Sequence, residues 1–450
     1  MKGGANKGST GISATDLSPI EGMDRNDEDW LRELARNANS DTLSLSFVTQ
    51  REVQQAPIVS YDSQTGIWWA GRFVGELTYQ GRTLTILPRF GMPALRRWLS
   101  RIWGIRLLSS TGRYASGKIW LWELIARLWS DRIVVAAKHG LPCIRIDEVH
   151  SGSTVRGRLL VRQTAVNLHL GRQMLVSRTR IRRIDSRIGG VLLGAYDHLR
   201  QQLRDVAEPR LWLTDRGHEL VKELQSSIDR RAVEEACRSR SPIRYTPISE
   251  SYRPAIDLSL TILGRHPFMS SAEGSNAVYG ALLDMAEIWE LYLFHLIRDA
   301  LSEAEVTHAG RSSEAVFWLL TGKSGDRIGA MKPDILLSSR DGARRIILDA
   351  KYKSTTPSPS RPHGVLREDL YQMAAYLSVE AISPGTLDGG LVYPSSTAVS
   401  SLESKSPFRV QRSDAQFFFF GLNCSDFVNS IGLTPAEIQF VAGLRSHLQL

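Results

Sequence analysis

Cysteine is scarce. The 450-residue chain holds three, Cys143, Cys237 and Cys424, widely spaced and without a C-x-x-C pair. An odd, dispersed set excludes a disulfide framework and a zinc ribbon, and it fits a reducing compartment. Long apolar runs are also missing. The most apolar stretch, Ala277 to Ile297, is interrupted by Asp284, Glu287 and Glu290 and cannot be a plain membrane span. The opening residues, MKGGANKGSTGISATDLSP, lack the apolar core of a signal peptide. The expectation is a cytoplasmic protein with no membrane contact. His139, His150, His218, His266 and His295 show neither H-x-x-x-H nor H-E-x-x-H spacing, which argues against zinc. No G-x-S-x-G elbow and no internal repeat of solenoid length is present.

Positive charge is what the chain has in excess. Its formal net charge is +9 and its composition, 42% hydrophobic and 23% charged, is that of a globular protein of two or three domains. Between Arg156 and Arg210 arginines greatly outnumber acids, most densely in SRTRIRRIDSR, Ser177 to Arg187. Such a field favours polyanions because each neutralised phosphate releases condensed counterions. Arg178, Arg180, Arg182 and Arg183 are the expected phosphate contacts, against the plainer reading of a solvated helix face.

The patterning predicts an α/β protein of several domains. Residues 1–28 read as a disordered tail. Residues 29–150 read as a β-rich and helical module: strands alternate between Leu43 and Arg89, with a Gln80-Gly81 turn, and a helix follows over Ile119 to Ala136. Most tryptophans lie before residue 130, where their spacing fits core or interface anchors. Residues 151–248 read as a basic helical connector. From 249 to 450 the pattern gives a long helix over Ala277 to Leu301 and strands at Ala315 to Leu320, Asp334 to Leu337 and Arg345 to Lys351. A helix over Leu366 to Val379 and strands at Gly390 to Tyr393 and Gln416 to Leu422 complete a mixed sheet flanked by helices. Gly112 to Lys118 fits G-x-x-x-x-G-K, but Ile119 stands where Ser or Thr would hold Mg²⁺, so no nucleotide is expected on this chain.

The local chemistry centres on Pro333-Asp334-Ile335 and Leu348-Asp349-Ala350-Lys351. Side chains alternate along a strand, so Asp349 and Lys351 share a face. If the two segments form a hairpin, Asp334 approaches Asp349. Two close carboxylates call for a hard cation, Mg²⁺ or alternatively Mn²⁺. With a lysine alongside, the chemistry this suits is phosphodiester hydrolysis. A D/E-x-K triplet alone is common, and Glu403-Ser404-Lys405 in a Ser/Pro-rich loop is a chance match. Glu290 falls on the apolar helical line Leu283, Ala286, Glu290, Leu293, Ile297, with Glu287 its rival; the alternative for it is a buried pair with an arginine. Gln372, beside Tyr371, could orient water or phosphate, or simply line an amphipathic docking face.

These segments resemble the McrC family, the nuclease subunits of McrBC-type modification-dependent (type IV) restriction systems. The matching residues are LDMAEIWE from Leu283, Lys332 to Ile335, Leu348 to Lys353 and Asp369 to Met373, with Phe73 to Gly75, Ile86 to Arg89 and Val155 to Leu159 upstream. The resemblance implies a C-terminal PD-(D/E)xK restriction-endonuclease-like domain. Asp334, Asp349 and Lys351 would be its centre, Glu290 the helix acid, and Gln372 a supporting group, with Asp334, Asp349 and Glu290 on the metal and Lys353 on DNA. It also implies double-stranded DNA as substrate and a McrB-like AAA+ GTPase ring as partner, engaged and stimulated by the N-terminal module, with self-association through that assembly. A second hypothesis is a nuclease-fold subunit that bridges an AAA+ NTPase to DNA without cutting. A weaker third is a nucleotide-binding protein using Gly112 to Lys118.

Overall fold

The computed structural model describes residues 11–38, 44–45, 56–103, 117–204, 208–239, 241–263, 278–308, 316–353, 364–380, 386–396, 408–409, 415–425 and 432–450. The G-x-x-x-x-G-K segment lies outside the described residues up to position 116, as does Glu403-Ser404-Lys405. The chain forms two compact units: Met1–Arg113 together with Phe268–Leu450, and Tyr114–Pro267. The sequence boundaries at 28, 150 and 248 do not coincide with this division.

The first unit contains a five-stranded sheet in the order Gly11–Thr15, Arg82–Leu87, Phe73–Tyr79, Tyr279–Asp284, Ser44–Leu45. Its central hairpin turns at Gln80 and Gly81, whose φ angles of 49° and 76° both lie in the left-handed region that a two-residue primed turn requires. Leu77, Tyr79, Leu84 and Ile86 alternate inward and meet Trp30, Leu31 and Leu34 of the Arg25–Asn37 helix. That helix starts on a reciprocal capping box between Asp24 and Asp27. Within the segment expected to be a tail, Gly11–Thr15 is a strand that pairs parallel to Arg82–Leu87 and forms one edge of the sheet.

The expected helix over Ala277 to Leu301 is two elements. Tyr279–Asp284 is a strand, antiparallel to Phe73–Tyr79, and only Met285–Ala300 is helical. The physical reason is long-range. Gly280, at φ 155°, lets the strand approach so closely that an added Cβ would lie 2.0 Å from the Glu76 carbonyl oxygen. Asp284 then caps the helix by accepting from the Ala286 amide at 2.9 Å, and Arg72 pairs with it at 2.9 Å.

The second sheet of this unit has six strands in the order Ala304–His308, Ile335–Ser339, Arg344–Ala350, Thr386–Ser395, Gln416–Asn423, Phe408–Arg409. Arg344–Ala350 runs antiparallel to Ile335–Ser339 and parallel to Thr386–Ser395. A parallel pair needs a crossover. The Arg367–Glu380 helix lies within it and packs Met373, Tyr376 and Leu377 on Ile347, Leu391 and Tyr393.

In the second unit, the region 151–248 expected to be helical is mostly helix, but its arginine-rich segment is a strand. The unit contains a three-stranded sheet of Cys143–Gly152, Leu175–Ile184 and Arg158–Leu159, with the helices Gly117–Ala136, Val161–His169, Ser186–Gln202, Pro209–Trp212, Asp215–Ser227, Arg230–Arg238 and Arg253–Ile262. The arginine-rich segment is the long middle strand. Arg178, Arg180 and Arg182 recur at a spacing of two and are exposed, which is the period of a strand with one wet face.

Candidate active site

Sheet register assembles the site. Ile335 stands opposite Leu348, so Asp334 enters its strand beside Asp349 and Ala350. One Asp334 oxygen accepts the Ala350 amide at 2.7 Å. Asp349 is 1% exposed, and the Lys351 ammonium lies 2.5 Å from its Oδ2. Alternation along the strand therefore puts both on one face, as the spacing requires.

The Arg367–Glu380 helix supplies the surrounding polar groups. Gln372 Oε1 accepts from Lys351 Nζ at 2.8 Å, and its amide donates to the Tyr376 hydroxyl at 2.9 Å. Tyr376 in turn donates to the Lys332 carbonyl at 2.9 Å, tying the helix to the residue before Pro333-Asp334. Asp369, buried one turn before Gln372, pairs with Lys353 at 2.7 Å and lies 3.9 Å from Lys351. The Tyr393 hydroxyl donates to it at 3.4 Å. Glu290, on the Met285–Ala300 helix, faces His308 Nε2 at 3.0 Å. His308 sits opposite Ile335, next to Asp334.

These groups act on one another electrically. Burial raises the Asp334 carboxyl well above the usual aspartate range, and the neighbouring Glu290 and Asp349 charges raise it further. Burial alone would lower the Lys351 ammonium, but Asp349 and Asp334 reverse that and hold it above its ordinary value. Lys351 is therefore a fixed positive charge at neutral pH. Burial, then Asp349 and Asp334, also raise the Tyr376 hydroxyl, which stays protonated.

Asp334, Asp349, Glu290, Lys351, Gln372 and Lys353 thus all belong to the first unit. Arg178, Arg180, Arg182 and Arg183 do not: they line a strand of the second, where Arg183 meets Glu148 at 3.1 Å and Arg178 meets Asp147 at 3.8 Å. Asp369, Tyr376, Tyr393 and His308 escaped the sequence reading as site residues. Asp369 carried a signal, three positions before Gln372 on one helical face. His308 carried none.

The donor set suits a hard cation in its chemistry: three carboxylates, of which Asp349 Oδ2 is buried. As the side chains stand, the Lys351 ammonium is beside that oxygen. Among the described residues no group of three or more His, Cys, Asp or Glu is arranged to hold a metal ion. Nor is any helix of the described residues long and apolar enough to cross a membrane.

A model of the McrBC 5-methylcytosine restriction system component family matches residues 69–394. In structure the chain is similar to a chain of the refined half-complex from the tetradecameric assembly of Thermococcus gammatolerans McrB AAA+ hexamers with bound McrC. The TM-score is 0.53 at 14% identity, covering 97% of this chain and 99% of that one, which shows a shared fold. The cryo-EM structure of the Thermococcus gammatolerans McrBC complex matches at a TM-score of 0.35 and 15% identity, covering 65% and 88%, too low to bear on the fold. No curated protein matches the sequence. With the family model spanning most of its length and the fold shared end to end, the chain belongs to the McrBC 5-methylcytosine restriction system component family.

Proposed function

We propose that this chain is the McrC-like nuclease subunit of its restriction system, with a C-terminal domain of the PD-(D/E)xK type. It is a Mg²⁺-dependent endonuclease, with Mn²⁺ as the alternative ion, that hydrolyses phosphodiesters of double-stranded DNA carrying modified cytosine. It works bound to a McrB-like AAA+ GTPase ring that it stimulates. The Thermococcus assembly, in which McrC is bound to McrB AAA+ hexamers, supports the partner. One observation carries the chemistry: Asp334 and Asp349 converge from adjacent antiparallel strands beside an ammonium held at 2.5 Å.

Asp334, Asp349 and Glu290 would hold the ion, which supplies an activated water and offsets charge on the attacked phosphate. Lys351, oriented by Gln372, presents a permanent positive charge to the developing oxyanion. Lys353 offers a second cation to the DNA backbone, and His308 keeps Glu290 aimed inward. The bridging, non-cutting alternative is favoured by one fact, that the carboxylates do not stand in ligand geometry among the described residues. Cleavage decides between them. With the AAA+ partner, GTP and Mg²⁺, the parent chain cuts methylated plasmid, and Asp349→Ala and Lys351→Ala lose cutting by about a hundredfold or more while still stimulating GTP turnover. Variants that cut at the parental rate overturn the assignment; a parent that never cuts yet stimulates GTP turnover establishes the bridge.

A further inference from the structure

One buried carboxylate lies outside the centre. Asp16 has no solvent exposure, yet it stands at the end of an edge strand, not among the acids of the site. Burying a carboxylate is costly unless each oxygen is satisfied. Here both are. Oδ1 accepts the Arg89 amide at 2.5 Å and Oδ2 accepts the Tyr352 hydroxyl at 2.8 Å. Gly11–Thr15 and Arg82–Leu87 run parallel, so their C-terminal ends emerge side by side and bring Asp16 and Arg89 to one edge of the sheet. The Arg89 guanidinium stacks 4.4 Å above the Tyr352 ring and donates to the Lys353 carbonyl at 3.2 Å. Tyr352 is itself buried, edge-on to Trp98 and Phe90. Both the side chain of residue 352 and the backbone of residue 353 are therefore clamped from the N-terminal sheet.

Those two residues sit between and at the lysines of the site. We infer that Asp16, Arg89 and Tyr352 are positioning residues that fix the strand end after Asp349, and so set where Lys351 and Lys353 present their ammonium groups. The inference rests on the proposed nuclease reading and deepens it: the N-terminal sheet is part of the catalytic scaffold. The charge of Asp16 is needed because it anchors a hydroxyl and an amide at once beside a stacked guanidinium, which an amide side chain cannot match on both oxygens.

The test uses the full chain with its AAA+ partner and the variants Asp16→Asn and Tyr352→Phe, the second removing one oxygen only. Both lower kcat for cutting by about ten- to a hundredfold, with KM for DNA and stimulated GTP turnover unchanged. A second readout needs no activity: acylation of amines by a limiting reagent, read by mass spectrometry. Lys351 and Lys353 become several-fold more reactive in both variants, while exposed Lys138, Lys222 and Lys323 keep their rates. A general loss of folding would move all of these together. Parental acylation of Lys351 and Lys353 overturns the inference, as does parental cutting by both variants alongside an inactive Asp349→Ala. If Asp349→Ala itself cuts like the parent, the nuclease reading fails, and the acylation rates still decide whether the network positions the lysines.

Discussion

Asp369 sits between the two ammonium groups of the site. Asp334, Asp349 and Lys351 were legible because strand alternation and one hairpin suffice to bring them together. Asp369 was only partly legible: its spacing puts it on one helical face with Gln372, but where that face lands depends on how a crossover helix docks. Its carboxylate is buried between Lys353 at 2.7 Å and Lys351 at 3.9 Å. Asp369→Asn keeps the volume and removes the charge that holds both ammonium groups. Cutting is expected to fall about tenfold, measured as single-turnover rates at saturating DNA, with stimulated GTP turnover intact. Parental rates would show that Asp349 and Gln372 alone place Lys351. Asp16 yields a second test, on stability. Burial raises its carboxyl above the usual aspartate value, against the lowering effect of Tyr352 and Arg89. The folded state thus holds the proton more tightly than the unfolded chain. Stability accordingly declines as pH rises from the ordinary aspartate value through the higher folded one. Asp16→Asn removes that decline, which urea midpoints across a pH series would reveal; an unchanged slope refutes the assignment.

At the scale of elements, the C-terminal helix Pro435–Leu448 is held by one acid. Glu437, with no exposure, closes a capping box with Thr434, accepts the Tyr292 hydroxyl at 2.6 Å and forms a two-pronged pair with Arg97. It joins this helix to Met285–Ala300 and Gly91–Trp103. Burial alone would raise its carboxyl, but Arg97, Tyr292 and the Thr434 amide outweigh burial and hold it below the ordinary glutamate range. Its stabilisation is therefore complete above the ordinary glutamate value and disappears as pH falls through the lower folded one. Glu437→Gln takes the buried carboxylate away from the Arg97 guanidinium and costs about 3–5 kcal/mol in chemical denaturation at neutral pH. The variant also loses less stability than the parent on acidification. A cost under about 1 kcal/mol would mean that water or another acid replaces Glu437. The C-terminal strands and the crossover helix were legible from apolar runs and period. Tyr279–Asp284 was not, since its apolar residues continue the pattern of the helix, and only pairing with residues some two hundred positions earlier makes it a strand. The arginine strand Leu175–Ile184 was obscured for another reason: its charge density masks the period of two that Arg178, Arg180 and Arg182 display.

At the scale of the whole molecule, the chain leaves its first unit at Arg113 and returns at Phe268. A linear scan for composition shifts finds boundaries but not which segments rejoin, so this division was not legible. It reorganises the charge. Tyr114–Pro267 holds 26 lysines and arginines against 16 acids, a net +10, whereas the whole chain carries +9. All of the excess positive charge therefore lies in the unit without the carboxylate centre. That unit has its own buried set, including Trp129, Tyr196, Trp212, Leu220 and Ile256, and its own sheet, so a Tyr114–Pro267 fragment is expected to fold alone. Circular dichroism and a cooperative melt would check this. The fragment should then bind duplex DNA without sequence preference, with affinity falling steeply as salt rises. If the exposed strand face carries the contacts, Arg178→Glu, Arg180→Glu and Arg182→Glu together weaken binding and flatten the slope of log affinity against log salt by about 0.9 for each phosphate that is no longer neutralised. The same triple change on the Asp229-capped helix, at Arg230, Arg231 and Arg238, alters the net charge equally but should leave most of the slope. Equal reductions from both sets would make the arginine strand one contributor to a diffuse field, with no defined backbone track.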